Sequence, residues 1–367
     1  METIGIIAEY NPFHNGHIFH INKIKELYPD SLIILILNGY FLERGEISII
    51  SKENKTRLAL ENNIDIVIEL PLVFGSQSAD TFANISMFLL NELKVNKVIF
   101  GSESNDINLL TDIAKKQINE ELNIKKYLNE GFNYPTSLNK ALNININKPN
   151  DILGITYIKA IIKNNYKIEP ITIKRTNDYH DLNSNDYIIS ASNIRNKIKN
   201  KEEIYKYLPN TDYLNSIDET LLFNLIKYKI ISEDNLQQFL TVDEGIEYKL
   251  KDVINEVNTV DELIQRIKSK RYTYNRLKRM LIHILIGIKK EDNNLPITFI
   301  KLLGFNNKGQ NYINKIKKQT QVPILTKLDN KDKIRLYELK AANIYEMLTK
   351  EKVTTFEFLN KPIRKII

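Results

Sequence analysis

Short, almost wholly apolar runs alternate with longer amphipathic stretches through the first 200 residues of this chain. TIGIIAE (3–9), LIILILNG (32–39), DIVIEL (65–70), KVIFGSE (97–103) and KIEPITIKR (167–175) have strand length and composition. Between them, HIFHINKIKELYP (17–29), SKENKTRLALENN (51–63) and TFANISMFLLNEL (81–93) carry apolar residues at helical spacing. Strands that are apolar throughout, rather than every second residue, belong to a sheet covered on both faces. Their alternation with helices predicts a parallel, Rossmann-like doubly wound α/β layer. NINKPNDI and RTNDYHDLNSND read as polar loops of this layer.

From about Ile198 the pattern changes. TLLFNLIKYKI, EGIEYKLKDVINEV, TVDELIQRIKSK and YTYNRLKRMLIHILIGI place apolar residues three and four apart, as amphipathic helices do, and strand candidates become scarce. Thr259 followed by Glu262 has the spacing of a capping box. The expectation is two parts: an α/β unit over residues 1–200 and a mainly helical unit over 201–367.

Charge sharpens that division. Residues 1–200 hold 22 basic and 23 acidic side chains, whereas residues 266–367 hold 24 basic and only 8 acidic. Such a block attracts polyanions, because each neutralised phosphate releases condensed counterions; a solvated, lysine-rich helical face is the alternative. The absence of cysteine excludes disulfides, thiolate metal sites and cysteine nucleophiles. The N-terminus opens on a strand pattern rather than a targeting peptide, and no apolar run approaches the ~20 residues of a membrane span. These features lead to an expectation of a soluble, cytoplasmic protein.

Candidate chemistry concentrates in one loop. The chain has five histidines, and His14, His17 and His20 fall within EYNPFHNGHIFH, directly after the first predicted strand. In an open parallel sheet, ligands bind beyond the carboxyl ends of the strands, where free N–H groups at helix starts suit a phosphate. Two imidazoles there can donate hydrogen bonds to charge that builds as a phosphoanhydride breaks, and Gly16 leaves room for close approach. A zinc site is the weaker alternative, since cysteine and an HExxH arrangement are missing. No nucleophile-elbow motif supports a serine–histidine triad. His20 by itself also reads as a packing residue.

HNGH at this position resembles the HxGH motif of the nucleotidylyltransferase superfamily, and ISASNIR (189–195) resembles its ISSTxIR signature. GIIAEYNPFHNGH, ERGE, DIVIELPLVFGSQSADTFA, FGSES, KPNDILGITYIKAI, IKRTNDYHD and KSKRYTYNRLKRMLIHILIGI together are similar to the bacterial tRNA(Met) cytidine acetate ligase family over nearly the whole chain. Within NGYFLERGE, Tyr40 and Glu43 depart from the family's usual SGNFVQRGE, which leaves the role of that loop open.

The resemblance implies activation of acetate by ATP, giving acetyl-adenylate and pyrophosphate. Transfer of acetyl to N4 of the wobble cytidine of elongator tRNA(Met) follows, with Mg²⁺ accompanying the triphosphate. Carried over by position, the nucleotide site comprises Ile7, Ala8, Glu9, Tyr10, Asn11, Pro12, Phe13, His14, Asn15, Gly16, His17, Ile18, Phe19 and His20. Gly101, Asn150, Arg175, Ser192 and Arg195 join it, with His14, His17 and Arg175 as the catalytic groups. Recognition of tRNA would fall to Lys268, Lys270, Arg271, Tyr272, Arg276 and Arg279, cations for phosphates beside a ring for an unstacked base. Tyr272 and its neighbour Tyr274 have a second reading, as residues that pack their helix against the α/β unit. Two other functions fit the motifs: a small-molecule nucleotidylyltransferase, and a non-catalytic RNA-binding protein with ATP as a structural ligand. A class I tRNA synthetase lacks support, because no KMSKS-like loop is present.

Overall fold

The apolar runs form one sheet. The computed structural model describes residues 1–143, 148–175, 186–327, 332–359 and 361–365. Strands β1 (Thr3–Ala8), β2 (Leu32–Asn38), β3 (Ile66–Leu70), β4 (Lys97–Ser102) and β5 (Glu169–Lys174) match the five predicted runs and pair in parallel in the order β5-β4-β1-β2-β3. Parallel neighbours need a long crossover. Helices Asn15–Leu27, Lys52–Glu61 and Ala79–Glu92 supply the first three. In β2, Leu32, Ile34 and Ile36 join the core on one face, while Ile33, Leu35 and Leu37 join the core on the other. Both faces are therefore covered, which is why the run is apolar without alternation.

The order reverses between β1 and β4: from β1 the chain steps outward through β2 and β3, then returns to the far side of β1. Ligands bind at such a switch point in open α/β sheets. NINKPNDI is only partly a loop, since its last four residues open helix Pro149–Lys163. Most of RTNDYHDLNSND lies outside the described residues.

The second half departs from the expectation of scarce strands. β6 (Ile300–Asn306) is buried throughout and pairs antiparallel with β3; the short β7 (Ile324–Leu325) and β8 (Ile363–Lys365) pair with β6. The predicted helices are present as Glu219–Ser232, Ile246–Val253, Val260–Ile267 and Tyr274–Ile286, with a core of their own. Thr259 Oγ1 caps its helix by accepting the Glu262 N–H at 3.1 Å, while Glu262 receives the Asn258 N–H rather than that of Thr259. Helicity thus dominates residues 219–286, after which the chain returns to the sheet.

A buried ionic cluster holds that return. Lys52 and Lys301 are fully enclosed with Glu69, Glu338 and Glu357, and Tyr40 donates its hydroxyl proton to Glu357 at 3.1 Å. Burial, and then Glu69, push the Glu338 carboxyl up to about 8. Removing one member of such a group leaves another charge uncompensated in the interior, which costs about 3–5 kcal/mol.

Candidate active site

At the carboxyl ends of β1, β4 and β5 lies a cavity of about 250 Å³. Its wall includes Ile7, Ala8, Glu9, Tyr10, Asn11, His14, Gly16, His17, Phe19 and His20 from the first loop, joined by Gly101, Asn150, Arg175, Ser192 and Arg195. Four members of the expected set stand behind the wall. Phe13 and Ile18 pack in the core, Pro12 follows a cis peptide bond, and Asn15 Nδ2 donates to the carbonyls of Tyr187 and Lys206 at 3.2 and 2.8 Å. Asn15 therefore ties the loop to the chain that leads into ISASNIR.

The histidines are held by the helix they open. His14 is the N-cap, and its Nδ1 accepts the Gly16 N–H at 2.9 Å; His17 Nδ1 accepts the His14 N–H at 3.1 Å. Each ring uses Nδ1 as an acceptor, so the neutral ring carries its proton on Nε2 and keeps that donor for a ligand. The two rings lie 3.9 Å apart, and Tyr10 and Phe13 flank His17 at 4.6 and 5.6 Å. A Cβ on Gly16 would come 2.7 Å from His14 Cε1, so glycine is needed here first to admit the His14 ring.

Burial keeps all three imidazoles neutral. His14 is pushed down to about 3 by burial, then by Arg175 and Arg195; His20 goes to about 4 by burial and Arg175. His17 is held well below its ordinary value by burial, His14, Arg175 and His20. Among the described residues, His20 Nε2 has no hydrogen-bond partner although it is buried.

The opposite wall comes from two interlocked turns. Glu103 accepts from the Asn150 side chain at 2.6 Å and from the Asp151 N–H at 2.9 Å. Asp151 in return accepts from Ser102 Oγ at 2.5 Å and from the Glu103 N–H at 3.0 Å. This exchange fixes Asn150 beside Gly101 at the end of β4. A Cβ on Gly101 would lie 3.3 Å from Arg175 Cγ, so the Arg175 side chain crosses this glycine. Ser190 caps helix Ala191–Lys199 by accepting the Asn193 N–H at 3.1 Å, and the first turn of that helix, with Ser192, faces the cavity. Arg195 donates to the Asn11 carbonyl at 2.6 Å and pairs with Glu46 at 3.0 Å. Imidazole donors, guanidinium groups and a helix N-terminus on one cavity make an anion site.

A family model described as HIGH Nucleotidyl Transferase matches residues 1–358. A tRNA(Met) cytidine acetate ligase of Caldicellulosiruptor saccharolyticus is 38% identical, covering 99% of this chain and 98% of the relative. The same-named protein of Clostridium perfringens is 37% identical over 99% of both chains. The chain is a HIGH nucleotidyl transferase of the tRNA(Met) cytidine acetate ligase family. Its fold is similar to that of Thermotoga maritima TmcAL, with a TM-score of 0.90 and 27% identity for the apo form and 0.87 and 28% for the form bound with alpha-thio ATP. All of both chains is covered in each comparison.

The basic helix of this family member meets the cavity through the ERGE loop. Gly45 has φ +71°, and a Cβ there would lie 2.4 Å from the Arg279 backbone nitrogen. Arg279 Nη1 donates to the Glu43 carboxylate at 3.0 Å and its carbonyl at 3.3 Å, and the Glu43 N–H donates to Glu9 at 2.7 Å. Sequence reasoning missed Glu43, Arg44, Glu46, Leu153 and Tyr157 as cavity residues; the ERGE motif was the available signal for three of them. Tyr40, the other departure in that loop, is a core residue.

Two of the residues expected to meet tRNA face inward. Tyr272 is only 4% exposed, and its hydroxyl donates to the Asp243 carbonyl at 2.6 Å, so its ring cannot stack on a base. Arg279 is committed to Glu43. Arg276 lies over the Tyr272 ring at 4.1 Å. Lys268, Lys270 and Arg271 are exposed, and Arg271 pairs with Glu244 at 2.9 Å. The packing reading of Tyr272 thus prevails, against the helical core rather than the α/β unit, because the helix before it ends against that same core.

Proposed function

We propose that this protein is an ATP-dependent ligase that joins acetate to AMP and passes the acetyl group to N4 of the wobble cytidine of elongator tRNA(Met), acting in the cytoplasm. The observation that carries the reading is the cavity at the β1/β4 switch point, where His14, His17, His20 and Arg175 converge opposite the N-terminus of helix Ala191–Lys199.

Acetate is ionised at neutral pH, so the first step requires no general base. It requires the carboxylate in line with the α-phosphorus and stabilisation of the departing pyrophosphate. The Nε2 protons of His14 and His17 supply neutral donors, and Arg175 and Arg195 supply positive charge. Neutral imidazoles give directed hydrogen bonds without the cost of two adjacent buried cations. Ser192 and the free N–H groups of its helix turn suit the outer phosphates. Gly101 leaves room for the nucleoside against the strand end.

Among the described residues no group of three histidine, aspartate or glutamate side chains is placed to hold a metal ion. Mg²⁺ would enter this site with the triphosphate and would neutralise part of its charge. In the second step the cytosine amine attacks the mixed anhydride. The exposed Lys268, Lys270 and Arg271, beside Arg276, would meet RNA phosphates. No helix among the described residues is long and apolar enough to cross a membrane.

Acetate-dependent pyrophosphate release, measured with and without tRNA(Met), tests this reading. Release that requires acetate and is abolished by His17→Ala supports it. Release indifferent to acetate would replace it with nucleotidyl transfer to another small molecule.

A further inference from the structure

The cavity wall carries acidic as well as basic groups. His14, His17, His20, Arg175 and Arg195 are joined there by Glu9 and by Glu43, Arg44 and Glu46 of the ERGE loop. Two of these carboxylates are already committed: Glu43 to Arg279 and Glu46 to Arg195, each at 3.0 Å. Glu9 has no ion pair among the described residues. Its Oε1 accepts the Glu43 N–H at 2.7 Å and the Asn38 Nδ2–H at 3.2 Å; the residue is half-buried, and its Oε2 accepts no hydrogen bond from the described residues.

That carboxylate is held from beneath. Asn38 Nδ2 also donates to the Gly75 carbonyl at 3.0 Å. Lys55, fully buried, donates to the carbonyls of Glu9, Asn38 and Gly39 at 2.9, 2.9 and 2.8 Å, and so staples the ends of β1 and β2 together. A fixed carboxylate with one open oxygen repels a triphosphate and suits a group that offers N–H. Held in this way, it is also pre-organised for a reacting partner.

We propose that Glu9 is the proton acceptor of the acetyl-transfer step; this rests on the ligase reading above. The cytidine N4 lone pair forms the new C–N bond. The bond from the acetyl carbon to the phosphate oxygen breaks, and AMP leaves with that electron pair. One N4 proton passes to Glu9 Oε2 and then to solvent. The resemblance groups Glu9 with the nucleotide residues; its open oxygen assigns it to the acyl acceptor instead.

Glu9→Gln keeps a side-chain oxygen for both accepted hydrogen bonds and removes the base. Two rates are compared in the full-length enzyme: acetate-dependent exchange of pyrophosphate into ATP, and single-turnover acetyl transfer to tRNA(Met). The expected result is a transfer rate lower by about 10²-fold, with exchange lowered by less than tenfold and tRNA affinity within threefold of wild type. Transfer within threefold of wild type overturns the assignment. Equal losses in both rates, or a loss of tRNA affinity that accounts for the slower transfer, overturn it as well. If the wild-type enzyme shows no acetate-dependent exchange, it is the ligase reading that fails.

Discussion

Gly16→Ala probes the device that sets the histidine pair. The added Cβ would stand 2.7 Å from His14 Cε1, 3.0 Å from Nδ1 and 3.3 Å from Ile188 Cγ2. The ring cannot simply turn away, because His14 is buried and packs on His17 at 3.9 Å. Relief must come from a shift of the ring or of the helix start, and either breaks the Gly16 N–H to Nδ1 bond. Loss of that cap costs about 1 kcal/mol, and the forced repacking costs about 1–3 kcal/mol. Alanine's better helix propensity offsets about 1 kcal/mol of this. The net destabilisation, roughly 1–3 kcal/mol, leaves the protein folded. Activity suffers more, since a displacement of about 1 Å in a reacting group costs on the order of 10²-fold. Thermal unfolding and acetate-dependent pyrophosphate exchange read the two effects. A variant with a lowered midpoint and about a 100-fold slower exchange fits the account. Exchange within threefold of wild type would show that the cap does not set the catalytic geometry.

Other perturbations separate the remaining parts of the account. Gly45→Ala puts a Cβ 2.4 Å from the Arg279 backbone at a φ of +71°; the left-handed conformation alone costs about 1–2 kcal/mol, so urea unfolding should show at least that loss. Acidification should destabilise the protein as pH falls below about 6.5, the ordinary histidine value. His14, His20 and His283 are lowered to about 3, 4 and 4, so the unfolded chain binds more protons in that window. Each contributes up to about 1.4 kcal/mol per pH unit until its folded value is reached, and Glu338, raised to about 8, offsets about one such share over the same window; a net stability that stays flat or rises between pH 6.5 and 4.5 would contradict the neutral assignment. Tyr272→Phe removes the bond to the Asp243 carbonyl and should cost about 1 kcal/mol of stability while leaving tRNA affinity unchanged. Replacing Lys268, Lys270 and Arg271 together with alanine should weaken tRNA binding and flatten its salt dependence, as a filter-binding titration would show.

Strands β1 to β4 were legible because they are largely buried on both faces and therefore mostly apolar, whereas β5, at the sheet edge and only partly buried, was legible from its short apolar run alone. The histidine loop was legible because its motif follows the first strand directly, where the fold leaves helix N–H groups open. β6 escaped because Lys301 interrupts its apolar run. In the folded protein that lysine is neutralised by Glu69 and Glu357, and the carboxylate partners lie far away in the chain. Tyr272 and Arg279 carried the composition of an RNA-contacting helix. Which side of that helix faces outward was decided by the Asp243 carbonyl and the ERGE loop, neither of which is local in sequence. The Glu9, Asn38 and Lys55 arrangement left no signal at all, because Lys55 is satisfied by three carbonyls rather than by an acidic partner at a recognisable spacing.

The most direct measurement incubates the protein with ATP, isotopically labelled acetate and elongator tRNA(Met), then analyses the tRNA nucleosides by mass spectrometry. The account predicts labelled acetyl on cytidine, dependent on ATP and lost in His17→Ala. Unmodified cytidine in a folded, ATP-binding preparation would contradict it.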